Sequence, residues 1–317
     1  MEKVDGLGRA VTRQSTTEEE YRKRLDMLTR RAETSKGREA TLLEVILCLG
    51  TQDDEYRPAS IRKYYAALAW AVDKAVERGD LDDVSEHAHR QALASRPRPR
   101  PKTAEPRTSA RKRKQVDKWE LHRVGKFLLT RGTIEDKLLV LLLVHGVFLG
   151  LRPSEYSDAD LQGSLLVVRT RKATNGRGLG EFRELDLSGI SHQEQASIHR
   201  LIESFATASQ GELARLLDRL GGRLRRACRR VGVEPFALYT TRHQAIANMK
   251  AAGKSAAEIA AAVGHGSLRT AGKAYARRSS GWKLEATVRA SQDMVDRADE
   301  KASPPLKLSE ALRPKLP

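Results

Sequence analysis

Phe148-Leu149-Gly150-Leu151-Arg152-Pro153-Ser154-Glu155 places an arginine at the end of an apolar run, with an acid three residues further on. The run, Leu138 to Leu151, is shorter than the roughly 20 residues a bilayer span needs, and it contains His145 and two glycines. It reads as a buried core helix. Far downstream, Tyr239-Thr240-Thr241-Arg242-His243 stands at the start of another helical pattern. Gly264-His265-Gly266-Ser267 follows, and Tyr275 lies ten residues beyond His265.

Between these segments the pattern predicts helices over 118–130, 134–149, 192–207, 211–231, 240–253 and 255–263. Ser255 and Glu258 have capping-box spacing, and Gly264 sits where a helix ends. Ser164 to Thr170 is β-branched in character, Asn175-Gly176 is a hairpin-turn signal, and Glu181 to Leu187 reads as the returning strand. The segment 117–290 is therefore expected to be one α+β domain. Residues 291–317 are expected to hold the end of a last helix and a tail, with an amphipathic stretch around Leu284 to Val295.

The first 95 residues read differently. After a lead-in of about 16 residues, Thr17 and Glu18 to Glu20 open a helix, since acids favour the positive end of its dipole. Leu42, Leu43, Val45, Ile46 and Leu49 form a second apolar block. Ile61, Tyr64, Tyr65, Leu68, Val72 and Val76 then recur at helical spacing up to Gly79. This predicts a small all-helical domain. Residues 96–116 join the two parts. From Arg96 to Lys114 there are nine Lys or Arg, one acid and four prolines, so the segment stays extended and buries little. It is either a solubilising spacer or a basic strap along phosphates.

Lys and Arg outnumber Asp and Glu by 58 to 41, a net charge of +17. A field of that sign attracts a polyanion, and nucleic acid is the partner it suits best. Cys48 and Cys228 lie far apart, with neither metal spacing nor a disulfide framework, which points to a reducing compartment. The N-terminal MEKVDGLGRA has no apolar signal segment. The expectation is a cytoplasmic, nucleoid-associated protein without membrane contact.

Any one of the short motifs above is weak. Their ordered set, with these separations, resembles the tyrosine recombinase (phage integrase) family from roughly Asp117 to Trp282. The family has an arginine in a G-[LM]-R-x-[SG]-E stretch, a lysine on a β-hairpin, an H/Y-x-x-R-H stretch, a G-H stretch and a tyrosine nine or ten residues later. The resemblance implies a mainly α fold with a small antiparallel β-sheet. It also implies a helical core-binding arm that completes a C-shaped DNA clamp. It further implies cleavage and rejoining of duplex DNA through a 3′-phosphotyrosyl link, with no cofactor, metal or ATP. Arg152 and Arg242 become the phosphate clamp, Lys172 the general acid, His265 a phosphate contact and Tyr275 the nucleophile. Tyr239 stands where many members have histidine, which leaves the general base open. Glu155 and His243 are supporting residues.

The chemistry fits these residue types. A planar, permanently charged guanidinium pairs two phosphate oxygens. A phenol, with a reference pKa of about 10, needs neighbouring cations to become a nucleophile. The expected DNA contacts are Arg57, Ser60, Arg62 and Lys63 in the arm, Arg111, Lys112, Arg113 and Lys114 in the linker, and Arg169, Arg171 and Arg177 on the hairpin. Expected partners are duplex DNA with inverted-repeat core sites, three further copies in a tetramer, and an accessory directionality factor. Two alternatives stay open: a non-catalytic binder with the same fold, and a topoisomerase-like nicking–closing activity.

Overall fold

The computed structural model describes residues 15–51, 56–95, 113–170, 178–206, 208–268, 270, 275–282 and 288–302. The chain divides into two compact units, Met1–Arg107 and Thr108–Pro317. The expected lead-in, most of the basic linker and the Asn175-Gly176 turn lie outside the described residues.

The first unit is helical: α1 (Ser15–Lys36), α2 (Leu42–Thr51), α3 (Pro58–Glu77) and α4 (Asp83–Ala94). Pro58 opens α3 where its missing N–H is harmless, and the Asp82 side chain caps α4 through Ser85 N. The core joins Leu28, Val45, Ile46, Leu49, Ile61, Tyr65, Leu68 and Val72. These are the positions that the helical spacing singles out.

The second unit begins with α5 (Lys118–Arg131) and α6 (Ile134–Leu149), followed by a 3-10 turn at Pro153–Asp158. Strands β1 (Ala159–Gln162), β2 (Leu165–Arg169) and β3 (Phe182–Asp186) come next, then α7 (His192–Ala206), α8 (Gln210–Arg230), α9 (Thr240–Ala251) and α10 (Ala256–Val263). β4 (Arg289–Ala290) and α11 (Gln292–Ala302) close the unit. The fold is mainly α with one antiparallel sheet, ordered β1-β2-β3-β4. β2 and β3 are the expected hairpin; β1 and β4 add an edge on either side.

α6 runs through the middle of the core, with Leu139, Leu142, Leu143, Val147 and Leu149 buried. Its one buried imidazole, His145, is satisfied by Ser197 Oγ at 2.8 Å. α6 and α9 pack closely at Gly146, where an added Cβ would stand 2.5 Å from Thr241 Oγ1. α11 packs on α10 of its own unit through Ala257, Ala260 and Ala298, and Lys301 Nζ donates to Gly178 O at 2.6 Å. No helix among the described residues is long and apolar enough to cross a membrane.

Gly146→Ala forces α6 away from α9. The expected loss is about 1–3 kcal/mol of stability, the usual range for overpacking a tight contact. Chemical denaturation measures it, and an unchanged midpoint would show that the two helices can part without penalty.

Candidate active site

Arg152 is placed by the way α6 ends. Gly150 takes the left-handed conformation (φ +66°) and caps the helix. Arg152 is then extended, as the residue before a proline prefers. Its guanidinium is buried, and Nη1 donates to Glu155 Oε1 at 2.5 Å while its backbone N–H donates to Glu155 Oε2 at 2.8 Å. Burial, the largest influence on the Glu155 carboxyl, works to raise its pKa. Arg183, Arg152 and Arg242 together outweigh burial and hold the carboxyl at about 2.

Arg242 is fully buried in the first turn of α9. Nη1 donates to Gly150 O and Nη2 to Val263 O, both at 2.6 Å. One cation thus satisfies carbonyls at the ends of both α6 and α10, where the helix dipole favours positive charge. Nε reaches the Tyr275 hydroxyl at 3.4 Å. The Ser255–Glu258 capping box starts α10 as its spacing predicts, and left-handed Gly264 stops it. The next residue is His265.

Tyr275 is enclosed by the groups that the sequence singles out. Its hydroxyl is 2.9 Å from that of Tyr239, and its ring centroid lies 4.7 Å from His243 and 4.8 Å from His265. Burial raises the pKa of the phenol, as does the Tyr239 hydrogen bond, while Arg242 pulls it down; the net shift is upward. The following segment is fastened to α9. Lys250 Nζ donates to Ala276 O at 2.7 Å, Gln244 Nε2 to Ser280 O at 2.8 Å, and Trp282 N to Asn248 Oδ1 at 2.8 Å.

The histidines are neutral. Burial first, then the charges of Arg242, Arg152 and Arg183, push His265 down to about 2. Burial, aided by Lys114, Arg242 and Lys250, lowers His243 to about 4. Both ring nitrogens of His265 and Nε of Arg152 are buried without a hydrogen-bond partner among the described residues. With His243 Nδ1, also unpartnered, they leave the site with unsatisfied polar atoms and a surplus of positive charge. An anion with several oxygens suits such a site. Among the described residues no cluster of three or more His, Cys, Asp or Glu could hold a metal ion.

The site thus brings Arg152, Glu155, Tyr239, Arg242, His243, His265 and Tyr275 together. Lys172, Arg171, Arg177, Arg111 and Lys112 lie outside the described residues. Arg57, Arg62 and Lys63 are exposed near the start of α3 and Ser60 is half-buried; Tyr65 on the same turn belongs to the core. Arg169 is exposed and paired with Glu181 at 2.8 Å. Arg113 departs from the expected phosphate contact. It turns inward to the Glu120 carboxylate and to Glu234 O, because Glu120 is buried at the N-terminus of α5 and needs a cation. Sequence reading also misses Arg183, which is fully buried on β3. The available signal is alternation: Arg183 shares the inward face with Leu185, where an apolar residue is expected, while Phe182 points out.

No protein-family model matches the sequence, and no curated protein matches it. Solved structures do. The chain is similar to a lambda integrase tetramer bound to a Holliday junction, with 15% identity over 86% of this chain and 75% of that chain and a TM-score of 0.54. It is also similar to a lambda integrase dimer bound to a COC′ core site, with 17% identity over the same shares and a TM-score of 0.54. The chain has the fold of the tyrosine recombinases. The mixed architecture expected from the motifs, helices around one small antiparallel sheet, is the one found in this fold.

The buried neutral histidines set a pH dependence of stability. His145 and His243 have folded pKa values of about 4, both lowered mainly by burial, against about 6.5 when exposed. Below about 6.5 the unfolded chain takes up protons that the native state refuses, so stability falls as pH drops from about 6.5 to about 4. His145→Gln removes one of these groups at a distance from the tyrosine and is expected to flatten the decline. Denaturation midpoints across that range measure it, and identical slopes for wild type and variant would refute the assignment.

Proposed function

We propose that the protein is a site-specific DNA recombinase that cleaves and rejoins duplex DNA through Tyr275. The observation that carries this reading is the Tyr275 hydroxyl, held at 2.9 Å by Tyr239 and reached by Arg242, beside unsatisfied polar atoms on Arg152 and His265.

In the proposed step the Tyr275 oxygen attacks phosphorus and the bond from phosphorus to the 5′-oxygen breaks. The phenolic proton passes to solvent, and the departing 5′-oxygen takes a proton from the Lys172 ammonium. Arg152 and Arg242 balance charge on the non-bridging oxygens. His265 is too weak a base in the free protein to take the phenolic proton, so its role is to hydrogen-bond the phosphate. On this reading no histidine base is required, and the Tyr239 hydroxyl orients the nucleophile. The phosphotyrosyl link keeps the energy of the broken bond, so a 5′-hydroxyl can reverse the exchange without ATP.

The exposed Arg57, Arg62 and Lys63 suit the backbone of duplex DNA, as does the basic Arg96–Lys114 segment apart from the inward-facing Arg113. The first unit, 1–95, is on this reading a core-binding arm, 96–116 a strap and 117–290 the catalytic domain. The partner on this reading is duplex DNA with inverted-repeat core sites. The lambda integrase structures are of protein bound to a Holliday junction and to a core site, the former as a tetramer. Four copies of this chain are proposed to pair two sites. The role is integration or excision of a mobile element, or resolution of cointegrates.

The test uses DNA flanking the gene, cut into fragments and nicked to trap cleavage. Wild type is expected to become covalently linked to a 3′ DNA end, and Tyr275→Phe is not. Sequence-specific binding without any adduct would replace the recombinase with a non-catalytic binder. Cleavage without sequence preference would indicate a nicking–closing enzyme. Binding is also expected to weaken steeply with salt, because neutralised phosphates release counterions. Dissociation constants that barely change from low to moderate salt would contradict the proposed phosphate contacts.

A further inference from the structure

We propose that Arg183 is a positioning residue for strand cleavage, holding the Glu155 carboxylate so that Arg152 faces the scissile phosphate and tying that pair to the His265 turn and the base of the β2–β3 hairpin. The inference rests on the recombinase reading above and adds to it a residue outside the sequence motifs.

Arg183 is fully buried, so it does not touch DNA. Its guanidinium points three ways. Nη2 donates to Glu155 Oε2 at 2.7 Å, Nε to Ala262 O at 3.1 Å and Nη1 to Thr170 Oγ1 at 3.4 Å. Each contact supports a different part of the site. Glu155 holds Arg152 through its other oxygen. Ala262 is in the last turn of α10, just before Gly264 and His265. Thr170 directly follows β2, two residues before Lys172, and its backbone N–H donates to Glu181 O across the hairpin at 2.7 Å. The turn at Gly264 packs directly on this cation: an added Cβ there would lie 3.2 Å from Arg183 Nη1 and 3.3 Å from Thr170.

Stability alone does not account for this residue. A buried guanidinium is heavily desolvated, and burial is the main cause of the fall in the pKa of Arg183. An apolar side chain of similar volume usually holds a core equally well or better. What an apolar residue cannot do is fix the carboxylate. Glu155 Oε2 is already 3.8 Å from Arg242 Nη1. Without Arg183 the carboxylate is free to turn toward Arg242 and draw Arg152 with it.

The experiment compares wild type, Arg183→Met and Arg183→Lys as full-length protein. Each is incubated with a nicked duplex carrying the mapped cleavage site, at saturating protein and in a single turnover. The scissile group is either the native phosphate or a methylphosphonate, whose neutral charge asks less of the arginine clamp. Arg183→Met is expected to bind DNA like wild type and to cleave the native phosphate about 100-fold more slowly, the loss typical of a small misplacement. Arg183→Lys is expected to fall between the two. The deficit is expected to shrink on the methylphosphonate, which a purely structural role does not predict. Equal deficits on both substrates, or a loss matching the unfolded fraction seen by thermal unfolding, would overturn the proposal, as would wild-type rates in Arg183→Met. If Arg183→Met does not fold, the same substrate comparison with Arg183→Lys decides. A wild-type protein that forms no adduct would remove the recombinase reading itself, a failure visible before either variant is tested.

Discussion

One buried carboxylate, that of Glu155, sits among three guanidiniums, and the geometry of the site depends on it. Arg152, Arg183 and Arg242 approach it from a helix end, a strand and a helix start, respectively. A carboxyl buried alone would be neutral; here it stays ionised because three positive charges outweigh its desolvation. The sum remains positive. Three cations against one anion leave excess charge in a water-poor pocket, tolerable only because other acceptors share it. These are the carbonyls of Gly150, Ala262 and Val263. On the proposed reading, an arriving phosphate meets a site already charged to receive it, with little reorganisation left to do.

That requirement explains much of the second unit's architecture. α6 and α10 end at the same place, each stopped by a left-handed glycine, and their last carbonyls face Arg242. α9 begins there, set against α6 at the cleft that Gly146 opens for Thr241. Gly281 makes the same kind of demand further on, since a Cβ there would stand 2.2 Å from Ala247 O. The chain after Tyr275 therefore lies tight on α9, held by Lys250, Gln244 and Asn248. The tyrosine is thus anchored through the residues that follow it, which on the proposed reading holds the nucleophile within reach of its target.

How legible this was differs by element. Helix limits followed from apolar spacing and, for α10, from the Ser255–Glu258 capping box and the stop at Gly264. The hairpin was legible from β-branched residues. Strands β1 and β4 were not, since four and two residues offer too little alternation. In the site, Arg152, Arg242, His265 and Tyr275 stood out through ordered motifs. Arg183 did not, because its importance lies in three contacts made across 13 to 79 residues of chain. Arg113 misled for the opposite reason. It belongs to a basic run by composition, and only the buried Glu120 reveals that it faces inward.

The resting state of Tyr275 bears on how such a site avoids idle reaction. In the free protein its phenol is held protonated by burial and by Tyr239, and the nearest cation, Arg242, is engaged with two carbonyls. The two histidines at its ring are neutral and poor proton acceptors. Nothing in this arrangement pre-forms a phenolate. On the proposed reading, reactivity comes from what the phosphate brings: negative charge for the unpartnered atoms of Arg152 and His265, and a leaving group for Lys172 to protonate. On that reading, a nucleophile that stays protonated until its substrate is seated keeps the covalent step from running on unbound protein.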